Sequence, residues 1–299
     1  RGSRPNAPAL GAWTLVACGH VGTLPHVPAD SSASVRMTNS DPAVSADTRQ
    51  GDQLRRAIEA GEIVPWYQPI IDLPSGAVTG VEALARWIRD GRTIPPAEFI
   101  PFAESSELVI ALDLAVIRGG LDDLRRWQQL HPRFELNVNL SGRHLDSATG
   151  IADLIEAVDS AGVAAQSIAV ELTETSRPSA VDQGTAGLEA MRERGLSVWL
   201  DDFGCGYYNL QDLIRLPVDG IKFDRSFTAQ LDGPRAAPLI GGLTTAAHQM
   251  GMRVTLEGIE TPAQATAGRQ LGCDLGQGYL WSRPMPAAEV FVWLSEGSG

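Results

Sequence analysis

Ser197-Val-Trp-Leu200 runs into Asp201-Asp202, Gly220-Ile-Lys-Phe223 carries a lysine in its middle, and Arg253-Val-Thr-Leu256 stops at Glu257. Each is a short β-branched or apolar run with an ionisable residue at or near its end. Between them the chain has helical character, as in Ala236 to Met250. Short strands alternating with helices argue for a parallel sheet. Five more runs extend the series: Val64 to Ile71, Val78 to Leu84, Glu135 to Leu140, Ile168 to Leu172 and Gly278 to Trp281. The intervening helices fall at Leu108 to Gln129, Gly150 to Ala161, Ala180 to Arg194 and Pro262 to Leu271, with another at Asp52 to Ala60 ahead of the first strand. Eight strands in about 245 residues predict a closed (β/α)8 barrel. Only Asp72-Leu-Pro-Ser-Gly-Ala77 separates the first two runs, too short for a crossover helix. They are expected to form a hairpin, which sets one strand antiparallel to the rest.

The polar residues recur at one place in each strand. Glu82 lies inside the second run, Asn139 is near the end of the third and Glu171 near the end of the fourth. Asp201 and Asp202 follow the fifth, Lys222 is in the sixth, Glu257 ends the seventh and Gln277 precedes the eighth. In a barrel the C-terminal strand ends converge on one mouth, where chemistry is done. Five carboxylates there would repel one another and raise one another's pKa values. Divalent cations relieve that repulsion, and an all-oxygen set with a neutral Asn139 suits Mg²⁺ or Mn²⁺ better than zinc. None of the five histidines (His20, His26, His131, His144, His248) is at a strand end. Two cations about 3.5–4 Å apart suit phosphoester cleavage, with Lys222 holding or deprotonating the attacking water. A barrel lyase or aldolase using Lys222 as a Schiff base is an alternative, but it needs an apolar pocket around the amine.

Composition narrows the field further. The 299 residues carry a formal charge of −12, a poor basis for binding long nucleic acid through its phosphates. Of the 24 basic residues all but Lys222 are arginine. A position that keeps lysine against that background needs a compact, tunable ammonium. Cys18, Cys205 and Cys273 are scattered and odd in number, so a disulfide framework is not expected. No run approaches the roughly 18 apolar residues of a membrane span. The reading is a soluble, cytoplasmic protein. Residues 1–50 are rich in Ala, Ser, Pro, Gly, Thr and Asp without sustained period, and read as a flexible segment or linker ahead of a catalytic domain at 51–299.

These residues also carry a resemblance. Val81-Glu-Ala-Leu-Ala-Arg-Trp87 contains a Glu-Ala-Leu signature. It is accompanied in order by Gln68-Pro-Ile70, Val138-Asn-Leu-Ser141, Glu171-Leu-Thr-Glu174, Asp201-Asp-Phe-Gly204, Lys222-Phe-Asp224, Glu257-Gly-Ile-Glu260 and Gln277-Gly-Tyr279. The chain resembles the EAL-domain cyclic-di-GMP phosphodiesterases. The resemblance implies a modified TIM barrel that hydrolyses cyclic-di-GMP to linear pGpG with two Mg²⁺ or Mn²⁺ ions. It implies metal ligands at Glu82, Asn139, Glu171, Asp201, Asp202 and Glu257, with catalysis by Lys222, Glu82 and Asp201. Substrate contacts would come from Gln68, Leu84, Arg86 and Gln277, and loop support from Glu174 and Glu260. Partners implied by it are a homodimer mate and an upstream sensory domain. Trp281, next to Gln277-Gly-Tyr279, is the best tryptophan to stack on a guanine. One departure stands out: where the family usually has two small residues, commonly Ser-Ser, this chain has Tyr208-Asn209. That change is expected to alter the loop after the aspartate pair, with weakened activity or a receptor role as the alternative.

Overall fold

The computed structural model describes residues 42–173, 181–204 and 208–295. Nine strands lie within them. They are β1 (Ile63–Asp72), β2 (Val78–Arg89), β3 (Arg92–Ile94), β4 (Glu135–Leu140), β5 (Ile168–Leu172), β6 (Ser197–Phe203), β7 (Gly220–Phe223), β8 (Arg253–Leu256) and β9 (Leu275–Gln277). From β2 through β4, β5, β6, β7 and β8 to β9, each neighbour pairs in parallel. β1 then closes the ring antiparallel to both β2 and β9. The molecule is thus a modified TIM barrel with one reversed strand, as the short β1–β2 connection requires. Within that connection the Asp72 carboxylate accepts the Ser75 N–H at 2.8 Å, and Gly76 takes φ 74° to complete the turn.

Helices cover the outside: Leu108–Trp127, Gly150–Ala161, Val181–Glu193, Ala236–Gln249, Pro262–Gln270 and Ala287–Ser295. The apolar residues of Leu108–Trp127, among them Leu112, Ile117, Leu121 and Leu124, are buried in the main core between helices and strands. A polar tie fixes this helix to the reversed strand. The Tyr67 hydroxyl donates to Asp123 at 2.6 Å, and its ring meets Trp127 edge-on at 4.7 Å. A second, separate apolar cluster of Ile70, Ala169, Trp199 and Leu275 floors the barrel interior. Its size depends on Gly220, because a Cβ there would lie 2.4 Å from the Trp199 ring.

Several boundaries differ from the sequence reading. The eighth barrel strand is Leu275–Gln277 rather than Gly278 to Trp281. The Tyr-Leu-Trp composition favours a strand, but Gly278 presses against the Ile259 backbone, and Leu280 and Trp281 donate into a turn there. The shift makes Gln277 the last residue of its strand, in line with the other polar ends. β6 extends through the aspartate pair to Phe203. β2 runs on to Arg89 and folds back as β3 through Asp90-Gly91, both at positive φ (51° and 73°), a tight hairpin the period reading passed over. The first helix begins at Pro42, ahead of the expected Asp52. Residues 1–41 of the expected flexible segment lie outside the described residues.

Candidate active site

Strand pleating places every second side chain on one face. On the inner face, residues two positions beyond the apolar floor turn polar: Glu171 follows Ala169, Asp201 follows Trp199, Lys222 follows Gly220 and Gln277 follows Leu275. Glu82 and Asn137 complete the layer from β2 and β4, which pair at those positions. Gln68 joins from β1, opposite Glu82.

Lys222 is the hub. Its side chain is 1 % exposed, and its Nζ lies 2.6 Å from Glu257, 2.9 Å from Glu171, 3.1 Å from Asp201 and 3.3 Å from Glu82. Burial alone would lower the lysine pKa, but the carboxylates of Asp201, Glu171, Glu257 and Glu82 hold it well above the usual value. A protonated amine inside a ring of carboxylates does not fit a Schiff-base lysine, so the lyase or aldolase reading fails here.

The carboxylates are not equivalent. Glu82 is pushed up by burial, but Lys222 and hydrogen bonds from Gln277 (2.7 Å) and Asn139 (2.7 Å) bring it below its ordinary value. Burial dominates for the others: Glu171 is held well above the carboxylate range, Asp201 is raised, and Glu257 is pushed up to about 8, all against the pull of Lys222. This is the electrostatic excess the sequence reading anticipated.

Adjacent residues of a regular strand face opposite sides, yet carboxylate oxygens of Asp201 and Asp202 both lie in one acidic group with Glu257. The β6–β7 register shifts between Leu200 and Phe203, and Asp202 adopts φ 49°. Such a bulge re-aims side chains, and the left-handed residue costs about 1–2 kcal/mol. Ligand-type oxygens then gather in two groups, each within 4.8 Å: Glu82, Glu171 and Asp201, and Asp201, Asp202 and Glu257. Asp201 belongs to both. Neither group includes a His or Cys, so the donor chemistry fits hard divalent cations.

Two cavities open beside the layer, one of about 260 Å³ bordered by Asp201 and Glu257, the other of about 400 Å³ bordered by Arg86 and Asp113. Gln68, Leu84 and Tyr279 border both.

A family model described as EAL domain matches residues 51–284. The chain belongs to the EAL domain family. It is 36 % identical over 246 residues to cyclic di-GMP phosphodiesterase NbdA of Pseudomonas aeruginosa, covering 81 % of this chain and 31 % of that protein. It is 36 % identical over 246 residues to probable cyclic di-GMP phosphodiesterase PdeB of Escherichia coli, covering 82 % and 47 %. The chain therefore spans less than half the length of these relatives. Among solved structures, EAL enzyme Bd1971 with cAMP and cyclic-di-GMP bound superposes with a TM-score of 0.77 at 29 % identity, covering 84 % of this chain and 70 % of that one.

In this EAL domain the fold brings together Glu82, Glu171, Asp201, Asp202, Lys222 and Glu257, with Asn139 and Gln277 bonded to Glu82. Gln277 also donates to Gln68, which in turn donates to the Ser282 carbonyl at 3.2 Å. Arg86 lies on the second cavity, its guanidinium over the Trp66 ring at 5.5 Å. Glu260 is at the rim of the first cavity beside Arg225, its N–H held by Gln264. Glu174 lies outside the described residues. Trp281 is partly buried and packs against the main core. The aromatic residue at the rim is Tyr279, half exposed, with Arg283 stacked at 4.2 Å from its ring centre. Sequence reading passed over Asn137, whose amide donates to Glu171 at 2.6 Å. Its signal was available, since it stands two residues before Asn139 on the same strand face.

The departure at Tyr208-Asn209 has a physical account. The Tyr208 side chain is buried in the main core. Asn209 caps the helix Leu210–Arg215: its side chain accepts the Gln211 N–H at 2.8 Å, and Asp212 accepts the Asn209 N–H at 2.8 Å. Asn and Ser are comparable N-cap residues.

Proposed function

We propose that this EAL domain hydrolyses one phosphodiester bond of cyclic-di-GMP to give pGpG, using two divalent cations, Mg²⁺ or Mn²⁺. The observation that carries the reading is the pair of oxygen-donor groups sharing Asp201 around a buried lysine, beside cavities large enough for a nucleotide ligand. One cation would be held by Glu82, Glu171 and Asp201 with the Asn139 carbonyl oxygen, the other by Asp201, Asp202 and Glu257. Such ions acidify a bound water and offset charge on the leaving oxygen.

The protein's own groups do the rest. Lys222 lies within 3.3 Å of four carboxylates, which favour its ammonium form in the metal-free protein. It orients the attacking water and stabilises charge developing on the phosphoryl oxygens. Gln277 and Asn139 lock the Glu82 carboxylate, so that it presents a fixed face to the reacting centre. Arg86 gives a cation for the second phosphate, held away from the carboxylates by its stacking on Trp66. Gln68, Leu84 and Tyr279 form the wall on which the dinucleotide spans both cavities.

The test is chromatographic. Cyclic-di-GMP incubated with the protein and Mn²⁺ or Mg²⁺ gives pGpG, and gives none after chelation. Tight binding of the dinucleotide with no pGpG after long incubation with Mn²⁺ would replace the enzyme reading with that of a receptor.

A further inference from the structure

We infer that Asn137 is a positioning residue that fixes which oxygen of Glu171 faces the cations. The inference rests on the proposed metal site and deepens it.

β4 sends two asparagines to the barrel interior. Asn137 is register-paired with Glu82 on β2, and Asn139 with Glu171 on β5. Their amides cross. Asn139 donates to Glu82 Oε1 at 2.7 Å, and Asn137 donates to Glu171 Oε1 at 2.6 Å. Asn139 sits at the mouth and is half-buried, whereas Asn137 is one pleat repeat deeper and 5 % exposed. An amide at that depth is costly to desolvate unless it is bonded. Its β5 register partner is Ala169 of the apolar floor, so an apolar residue would suit its packing.

The bond decides the orientation of a carboxylate that bulk solvent does not reach. Glu171 is fully buried. Its Oε1 is capped by Asn137, and its Oε2 accepts from Lys222 at 2.9 Å. One carboxylate oxygen of Glu171 lies within 4.8 Å of oxygens of Glu82 and Asp201. Without the amide, neither oxygen is held apart from Lys222, and the carboxylate is free to turn. Groups that orient a metal ligand in this way typically change metal affinity about 10–100-fold when removed.

The experiment uses the full chain with Asn137→Leu, which keeps the branched skeleton without the amide, and Asn137→Ser, whose hydroxyl is too short to reach Glu171. Mn²⁺ binding is measured by calorimetry, thermal midpoint in chelator, and kcat and KM for cyclic-di-GMP across a Mn²⁺ series. Both variants are expected to bind Mn²⁺ about 10–100-fold more weakly. The Leu variant is expected to show lower kcat and unchanged KM at saturating Mn²⁺, whatever the change in its metal-free midpoint. Mn²⁺ affinity within twofold of wild type in the folded variants, with or without a lowered midpoint, would make Asn137 merely structural and overturn the inference. If the Leu variant does not fold, the Ser variant decides on the same readouts. Wild type that binds Mn²⁺ but yields no pGpG would sink the enzyme reading, while the affinity comparison still judges Asn137. Wild type that binds no Mn²⁺ would sink both.

Discussion

The barrel interior has two layers a single pleat repeat apart, and they do opposite work. The floor of Ile70, Ala169, Trp199 and Leu275 is apolar and closed. Two residues along the same strands stand Gln68, Glu171, Asp201 and Gln277, with Lys222 among them. The floor stabilises the fold by excluding water. The polar layer uses that same exclusion to sharpen its electrostatics, since Lys222 and Glu171 meet with almost no solvent between them. Placing a crowd of acids directly on an apolar base costs stability, and the molecule tolerates it through one lysine, two asparagines and one glutamine.

Removing Lys222 breaks this comparison most severely. Lys222→Met is expected to lower kcat by about 10²–10⁴-fold. In chelator it is expected to cost about 3–5 kcal/mol in urea unfolding, because buried carboxylates lose their counter-ion. Turnover within tenfold of wild type would contradict the role given to this residue. The floor responds the other way. Trp199→Ala is expected to cost about 3–5 kcal/mol through the cavity it leaves. Its kcat per folded molecule at 25 °C should stay within tenfold, and a larger loss would mean that the two layers are not separable.

The polar layer also predicts a pH signature for the metal-free protein. Glu257 rises from an ordinary 4.5 to about 8 on folding, and Asp201 and Glu171 move the same way. Between these values the folded state holds a proton that the unfolded state has released. Stability in chelator is therefore full below about 4.5 and falls as pH rises toward 8. Glu82 moves oppositely, so its contribution is lost only as pH falls below its ordinary range. Urea midpoints measured in chelator should decline across that window, and Mn²⁺ should flatten the decline. A midpoint that rises with pH in chelator would be inconsistent with three raised carboxyls.

Much of this was legible in the sequence. The alternation of strands and helices, the presence of one antiparallel strand in the first hairpin and the convergence of Glu82, Glu171, Asp201, Lys222 and Glu257 follow from run lengths and strand-end chemistry. What escaped had local causes. Tyr279-Leu280-Trp281 has strand-like composition, but the close approach of Gly278 to Ile259 makes it a turn. Asp201 and Asp202 join one acidic group at a bulge, whereas residue spacing alone places neighbours on opposite faces. Asn137 sits among apolar strand residues where no terminal position draws attention to it, although two-residue periodicity does point to it.

The smallest effect concerns the loop beyond the aspartates. Asn209→Ala should cost about 1 kcal/mol by uncapping Leu210–Arg215, while Asn209→Ser should be near neutral. Thermal melts and kcat of the two variants check this. A Ser variant with sharply raised kcat would show that the Asn in this loop restrains activity, where the structure gives it only a capping role.

The central claim is that the acidic layer would hold a pair of cations, with Asp201 common to both ligand groups. Electron paramagnetic resonance of the Mn²⁺-loaded protein tests it most directly. The account predicts two Mn²⁺ per chain with a spin-coupled signal, which Asp201→Asn collapses to uncoupled ions. A single uncoupled Mn²⁺ in the wild-type protein, or none, would contradict it.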